Sequence, residues 1–188
     1  MRVISGKYKG RKLLPPQDQR VRPTTDRIKE TLFNILSSKG VVGAITALDL
    51  FGGSGAVGIE SLSRGAEKVV FIDKSADSIK LIKYNLQHVG AKDADWEIYA
   101  VDYAFALKKL RGRKFDFIFA DPPYNATFED SIVFLVKKFE LLSENGVLVI
   151  EHSNEVKFKT DGFVVDKRDC GFTQLSFLEY VKEKLHNE

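Results

Sequence analysis

The stretch ITALDLFGGSGAVG, residues 45–58, decides the fold. A short apolar run leads into Gly52, Gly53 and Gly55, and a run with helical spacing follows. This succession of strand, glycine-rich turn and helix is typical of a parallel sheet that helices cover on both faces. Glycines also allow the backbone to turn tightly and to approach a ligand closely. The stretch therefore predicts a fold class and the edge of the sheet at which a ligand binds.

The same alternation of strand and helix continues along the chain. Further apolar runs lie at 69–72, 96–101, 115–120 and 147–150, and helical patterns lie near 56–64, 75–89, 103–110 and 128–142. Continuous apolar runs are typical of parallel strands that are buried on both faces. The stretches 162–169 and 175–183 follow one another without a helix between them. They predict an antiparallel pair at one edge of the sheet.

The N-terminal segment is basic. Residues 1–23 contain seven Lys and Arg residues and a single Asp, whereas the whole chain has a formal net charge of +3. We predict that 1–23 form a basic arm, with a β-hairpin around Gly6 and Gly10 and then a linker, and that 24–188 form a single domain. Such an arm suits a polyanion, although a solvated tail that is basic by chance also explains the composition. The predicted phosphate contacts are Arg2, Lys7, Lys9, Arg11, Lys12 and Arg22.

A helix is predicted over TTDRIKETLFNILSSKG, residues 24–40. Thr24 or Thr25 can cap its N-terminus, and Asp26 lies in its positive first turn. Its apolar residues recur at helical spacing and form one face, which we expect to pack on the sheet.

Composition excludes several classes of protein. No apolar run reaches the roughly 18 residues that a membrane span needs, and the N-terminus lacks the apolar core of a signal peptide. Cys170 is the only cysteine, which excludes an internal disulfide and fits a reducing compartment, so we expect a cytoplasmic protein. The three histidines, His88, His152 and His186, lack metal-ligand spacing, and no metal is expected.

Acidic residues stand at or near the end of each of the five predicted parallel strands. They are Asp49, Asp73, Asp102, Asp121 and Glu151. In an open α/β sheet, ligands bind beyond the carboxyl ends of the strands. One such residue could simply cap a helix, but five along one edge predict a cleft lined with carboxylates.

The glycine motif leaves two classes of cofactor open. The spacing Gly53-x-Gly55-x-x-Gly58, with Asp73 twenty residues after Gly53, matches the fingerprint of dinucleotide-binding enzymes. Asp49 favours a different cofactor, because a carboxylate beside the loop attracts an ammonium group and repels a diphosphate. S-adenosylmethionine carries an α-amino group and no phosphate. Asp73 would then accept hydrogen bonds from its ribose, and Asp102 from its adenine amino group.

The motif DPPY, residues 121–124, follows the fourth predicted strand. Prolines fix the loop and donate no N–H bond, so the Pro122 carbonyl and the Asp121 carboxylate can both point into the cleft as acceptors. Tyr124 adds a flat stacking face, which suits a planar base with an exocyclic amino group. Accepting both N–H bonds steers the nitrogen lone pair toward an electrophile, and Asp121 can take the proton. The simpler interpretation is a turn that ends a strand.

Four stretches together resemble the RsmD family, the bacterial 16S ribosomal RNA guanine-N2 methyltransferases. They are MRVISGKYKGRKL at 1–13, RPTTDRIKETLFNIL at 22–36, LDLFGGSGAVGIESLSRGA at 48–66 and DPPY at 121–124, with a weaker return in GFTQLSFLEY at 171–180. The resemblance implies a Rossmann-like, seven-stranded, mostly parallel sheet of the class I methyltransferase type. It further implies an enzyme that uses S-adenosylmethionine to methylate guanine N2 in 16S rRNA, within the small subunit or an assembly intermediate. Nothing in the sequence suggests an obligate dimer, so we expect a monomer.

The resemblance also assigns the residues of the site. The catalytic residues would be Asp121, Pro122, Pro123 and Tyr124. The cofactor residues would be Asp49, Phe51, Gly52, Gly53, Ser54, Gly55, Asp73, Lys74, Asp102 and Tyr103. The segment 22–27 would face the active site, although its sequence also suffices as a helix start. Gly53 stands where the family pattern has alanine, and Asp73-Lys74 stands where it often has Glu-Lys.

Three alternatives remain open on sequence alone. DPPY is shared with adenine-N6 and cytosine-N4 methyltransferases, so the target base rests on the family resemblance. A dinucleotide oxidoreductase would use the same glycines, but it would leave DPPY and the basic segment unexplained. A non-catalytic RNA-binding or assembly protein that kept the fold is the third.

Overall fold

The computed structural model describes residues 1–16, 25–123 and 128–181. The predicted linker, Arg22, Tyr124 and the chain after Val181 lie outside the described residues. The helices are α1 (Asp26–Ser38), α2 (Ala56–Ser63), α3 (Ala76–His88), α4 (Tyr103–Lys109) and α5 (Glu129–Lys138). The strands are β1 (Thr46–Leu50), β2 (Lys68–Asp73), β3 (Trp96–Ala100), β4 (Phe115–Ala120), β5 (Leu142–Ser153), β6 (Phe163–Asp169) and β7 (Thr173–Tyr180).

The seven strands form one sheet in the order β3-β2-β1-β4-β5-β7-β6. Strands β1 to β5 are parallel, whereas β7 runs antiparallel between β5 and β6. The predicted Rossmann-like α/β class and the antiparallel pair at one edge are therefore confirmed. The strand order reverses at β1, which has β2 on one side and β4 on the other. A ligand crevice is expected beyond the carboxyl ends of β1 and β4.

Helices cover both faces of the sheet, each over its own apolar cluster. One cluster joins α1, α2 and α3 to one face of the sheet, and it includes the buried rings of Phe33, Phe71 and Phe117. The other cluster joins α4 and α5 to the opposite face. The two clusters alternate along each parallel strand, because successive side chains point to opposite faces.

Helix α5 ends earlier than the sequence pattern predicts. It stops at Lys138, where the prediction extended it to 142. The helix closes with a Schellman motif in which the Leu141 N–H donates to the Val136 carbonyl at 3.0 Å. Glu140 takes the left-handed conformation, with φ of 51°, that this motif requires. Leu142, the last residue of the predicted helix, therefore begins the long strand β5.

The first residues of the chain bond both to each other and to α2. The described N-terminal residues contain one isolated antiparallel bridge, Arg2 with Lys12, so the predicted pair of short strands is not confirmed. The N–H groups of Ile4 and Ser5 donate to the Glu60 carboxylate on α2 at 2.8 and 3.0 Å. Three backbone bonds also join the two halves of the segment: the N–H groups of Val3, Gly10 and Leu13 donate to the carbonyls of Arg11, Val3 and Met1 at 3.0, 2.9 and 3.1 Å.

Gly6 permits the close approach of this segment to α2. It has a φ of 81°, and a Cβ at this position would lie 1.8 Å from the Ser63 carbonyl oxygen. That oxygen accepts a hydrogen bond from the Lys7 N–H at 2.7 Å. Val3, Tyr8 and Leu13 are buried in the cluster under α1 and α2. The basic segment is thus anchored to the body of the protein, while its division from the domain at residue 24 stays a prediction.

Within the described ranges, the chain has no helix that is both long enough and apolar enough to span a bilayer.

Candidate active site

Four carboxylates lie at the carboxyl edge of the sheet and on its α1–α3 face. They are Asp49, Asp73, Asp121 and Glu151. The residue two positions before each belongs to the cluster on that face; these residues are Ala47, Phe71, Phe119 and Val149. Because side chains alternate along a strand, each acid points the same way as the residue two positions before it. Four of the five predicted acids therefore share one cleft.

Asp49 is buried beside the glycine loop. Its side chain is only 3% exposed, and its Oδ2 accepts a hydrogen bond from the Gly58 N–H at 3.0 Å. Desolvation by burial raises the pKa of Asp49 to about 8, against the lowering effect of that hydrogen bond, and the charge of Asp73 raises it further. The carboxylate is therefore poised to accept a cation, because a nearby positive charge would favour its ionised form.

Asp121 stands in a similar environment at the end of β4. Burial raises the pKa of Asp121 well above its usual value, and the charges of Glu151 and Asp49 raise it further. Like charges this close together disfavour full ionisation. The three acids thus make a site whose electrostatics suit a positively charged ligand next to Asp121.

Asp73 accepts hydrogen bonds from the glycine loop between β1 and α2 and from its own turn. The Gly53 N–H donates to Asp73 Oδ2 at 3.0 Å, and the Ser75 N–H donates to Oδ1 at 2.8 Å. Phe51, Gly53 and Gly55 all have positive φ, of 61°, 56° and 77°. A left-handed conformation at a residue as bulky as Phe51 is strained, and such strain is concentrated at functional sites.

An aromatic cluster forms the floor beside this loop. The ring of Phe51 lies 5.2 Å from Tyr103 and 5.7 Å from Phe128, and those two rings lie 5.4 Å apart. The Tyr103 hydroxyl donates to Ser131 Oγ at 3.0 Å, which holds α4 against α5. Phe128 could not be assigned to the site from sequence, because its place depends on how α5 packs against α4.

The remaining predicted cofactor residues lie around the same loop. Asp102 caps α4, with its Oδ1 accepting from the Ala104 N–H at 2.9 Å, and its side chain is exposed. Ser54 is buried, whereas Lys74 lies on the surface beside Asp73. Pro122 is buried and Pro123 is exposed in the described part of DPPY.

Asn85 on α3 connects the glycine loop to the N-terminal segment, a role that was not predicted from sequence. Its Nδ2 donates to the carbonyls of Ser54 and Leu14, at 2.9 and 3.1 Å, and its Oδ1 accepts from the Leu14 N–H at 2.9 Å. The side chain is fully buried. A single amide in the apolar face of α3 is the signal that could have identified it, since buried polar groups need partners.

The predicted phosphate contacts divide into bound and free cations. Arg2 pairs with Asp26 at 3.3 Å, Lys7 pairs with Asp95 at 3.7 Å, and Arg11 donates to the Val89 carbonyl. Lys9 and Lys12 are exposed and form no ion pair with another described residue. These two lysines are therefore open to contact with an external anion.

Comparison with known proteins identifies the family of the chain. A model of the family described as "Conserved hypothetical protein 95" matches residues 1–179. Ribosomal RNA small subunit methyltransferase D of Escherichia coli is 35% identical over 156 residues, which cover 82% of this chain and 76% of that protein. The chain belongs to the RsmD family.

Two further similarities agree with the RsmD assignment. Bacillus subtilis YlbH, described as a proposed rRNA methyltransferase, is 40% identical over 160 residues, which cover 84% of this chain and 85% of that protein. The solved structure of yhhF from Escherichia coli, described as a proposed methyltransferase, superposes with a TM-score of 0.82 at 27% identity, covering 97% of this chain and 99% of that one. The fold that the family resemblance implies for this chain is thus confirmed.

Proposed function

We propose that this protein transfers a methyl group from S-adenosylmethionine to the exocyclic N2 of a guanine in 16S ribosomal RNA. The coarser statement, that it is an S-adenosylmethionine-dependent rRNA methyltransferase, follows from membership of the RsmD family. The choice of guanine N2 is the part that we add. Asp121, a half-buried acceptor at the end of β4 with two further carboxylates acting on it, supports an exocyclic amino group as the target, and the family resemblance supports guanine N2.

The residues of the cleft fit S-adenosylmethionine. Burial and the neighbouring acids raise the pKa values of Asp49 and Asp121, so a nearby positive charge would stabilise their ionised forms. This cofactor carries both an ammonium and a sulfonium group. When bound, it supplies an electrophilic methyl carbon. We assign the ammonium to Asp49 and the ribose hydroxyls to Asp73, whose oxygens keep acceptor capacity beyond their two backbone bonds. The exposed side chain of Asp102 and the ring of Tyr103 would lie against the adenine.

Asp121 would position the target amino group. Its carboxylate and the Pro122 carbonyl accept the two N–H bonds of guanine N2, which directs the nitrogen lone pair at the methyl carbon. As the N–C bond forms and the bond between the methyl carbon and sulfur breaks, with its electron pair left on sulfur, the nitrogen would become positively charged, and Asp121 would stabilise that charge and take the departing proton. Tyr124, which lies outside the described residues, is assigned by the sequence to stack on the base.

The charge distribution agrees with a polyanionic substrate such as RNA. The cleft is acidic, so the phosphates must be held by cations elsewhere, and the anchored basic segment supplies them. We propose Lys9 and Lys12 as phosphate contacts, with Arg2, Lys7 and Arg11 contributing to the local positive potential. The proposal includes a cytoplasmic monomer that acts on the small subunit or its assembly intermediate.

Removing Lys9 and Lys12 is expected to reduce the salt dependence of RNA binding. The double variant Lys9→Ala and Lys12→Ala should lower the slope of log K against log salt by about 1.4 to 1.8, the counterion release expected of two phosphate contacts. Filter binding of small-subunit RNA at several salt concentrations measures the slope. A double variant with the same change in charge next to α5, on the face of the sheet that the N-terminal segment does not cover, is the control: Lys114→Ala with Lys138→Ala. Equal slopes for the two double variants would contradict the assignment.

The proposed function is tested directly by measuring whether the protein transfers methyl groups to guanine N2 in small-subunit RNA.

A further inference from the structure

The turn between β6 and β7 presents an aromatic ring to solvent. Phe172 is 82% exposed, more than any other large apolar side chain in the described residues. The turn is held from two sides: the Cys170 N–H donates to the Thr173 carbonyl at 2.7 Å, and Asn154 Nδ2 donates to the Gly171 carbonyl at 2.7 Å. Gly171 supplies the positive φ, of 86°. The ring thus stands on a fixed support.

This turn lies at the same edge of the sheet as the candidate active site. Thr173 pairs with Ser153, and Leu175 pairs with Glu151, because β7 runs antiparallel to β5. The end of β5 that carries Glu151 is therefore the end at which β7 begins. A single exposed phenylalanine is ordinary on a protein surface. Its position at the rim of an acidic cleft calls for an explanation.

Arg27 lies at this rim too. The start of α1 lies near the glycine loop, because Asp26 pairs with Arg2 and the adjoining Met1 contacts Ser54. At the far end of α1, Lys39 pairs with Glu179 of β7 at 2.5 Å. From Lys39 back to Arg27 the helix spans about 18 Å, and from Glu179 back to Thr173 the strand spans about 20 Å. Both elements therefore reach the same edge.

The electrostatics of Cys170 agree with this placement. Burial raises the pKa of the Cys170 thiol, the charge of Glu151 raises it further, and the charge of Arg27 lowers it. Both charged groups are therefore close to the turn. Arg27 is exposed and forms no ion pair with another described residue, which leaves its guanidinium available to a ligand.

We propose that Phe172 and Arg27 form a binding subsite for an unpaired RNA nucleotide next to the target guanine. The base stacks on the Phe172 ring, and the Arg27 guanidinium contacts its phosphate. The inference rests on the proposed function and adds to it a second contact with the substrate. Sequence-specific RNA recognition commonly takes unstacked bases onto aromatic side chains, and a target base that leaves its stack exposes its neighbours. Arg27 also supplies a positive charge where the carboxylates would otherwise repel the RNA backbone.

The subsite is tested by steady-state kinetics with small ribosomal subunits that lack their modifications. Phe172→Ala should raise KM for the subunits about tenfold, within the range for loss of one base–aromatic stack, with kcat unchanged. The Kd for S-adenosylhomocysteine should stay the same, and Phe172→Tyr should restore KM. Phe134→Ala, which removes another exposed ring on α5, is the matched control and should leave KM unchanged. Equal KM values for Phe172→Ala and Phe134→Ala would overturn the proposal.

Two further measurements separate the parts of the proposal. Arg27→Ala should lower the salt slope of RNA binding by about 0.7 to 0.9, whereas Phe172→Ala should leave that slope unchanged. If the wild-type protein methylates no RNA, the proposed function fails, and the subsite is then decided by fluorescence. Small-subunit RNA should quench the added emission of Phe172→Trp relative to the wild type, whose only tryptophan is Trp96. Unchanged emission at saturating RNA would overturn the subsite.

Discussion

Replacing Asp121 with Ala is expected to lower kcat by about 10³-fold or more, since it removes both an acceptor for the target amino group and the group that takes its proton. The Kd for S-adenosylhomocysteine should change little, because the assigned cofactor contacts are Asp49, Asp73 and the glycine loop. Single-turnover methylation of small subunits and calorimetric titration with S-adenosylhomocysteine measure the two quantities. Equal losses in turnover and in cofactor binding would remove Asp121 from its catalytic role.

The isosteric variant Asp121→Asn provides the control for this experiment. It keeps an oxygen that can accept one N–H bond but cannot take the proton, so its kcat should lie between those of the wild type and Asp121→Ala. Neither variant should be less stable than the wild type near neutral pH. The substitution removes one of three mutually repelling acids, whose charges raise the pKa of Asp121. A lowered melting temperature would instead indicate a structural role.

Cofactor binding is expected to release a proton from Asp49. The pKa of Asp49 is raised to about 8, so near pH 7 this group is mostly protonated in the free protein. An ammonium group binds the carboxylate form, so its binding must displace that proton. The affinity for S-adenosylhomocysteine should therefore rise with pH, by up to about tenfold per unit below the pKa of Asp49.

The released proton can be counted by calorimetry in two buffers that differ in ionisation enthalpy. Near pH 7 the wild type should release close to one proton per cofactor, and Asp49→Asn should release none from this group. Asp121→Asn should retain the release, which separates the two acids. Binding that is independent of pH in the wild type would contradict the pairing of Asp49 with the ammonium group.

The same raised pKa sets how the free protein responds to pH. The Asp49 carboxyl holds its proton in the folded chain at pH values where the unfolded chain has lost it. The folded state therefore binds more protons between about pH 4 and about pH 8, and the contribution of Asp49 to stability falls as pH rises through that window. A cationic ligand opposes this loss, because it stabilises the ionised form.

The fold could be predicted from sequence because its signals are local and repeated. Continuous apolar runs predicted the parallel strands, and the acid at the end of each strand predicted the edge of the sheet at which the site lies. The common face of Asp49, Asp73, Asp121 and Glu151 then follows from the period of two along a strand. Helix α5 was predicted too long because apolar residues of a helix end and of a buried strand look alike until Glu140 breaks the pattern.

The parts that sequence could not predict depend on contacts between distant segments. Glu151 was recognised as a strand-end acid but not as a group that acts on Asp121, because that requires β4 and β5 to be neighbours. Asn85 gains its role only when α3 meets the glycine loop and the N-terminal segment. The first residues look like a free hairpin in sequence, yet the N–H groups of Ile4 and Ser5 find partners on α2.

The most direct test of the account uses tritiated S-adenosylmethionine. The protein is incubated separately with small ribosomal subunits that lack their modifications and with duplex DNA, and the nucleic acid is then digested to nucleosides. We predict label in N2-methylguanosine from the small subunits and none from the DNA. Label in adenine or cytosine would contradict the assignment of guanine N2, and the absence of label from every substrate would contradict the account of the site as a methyltransferase.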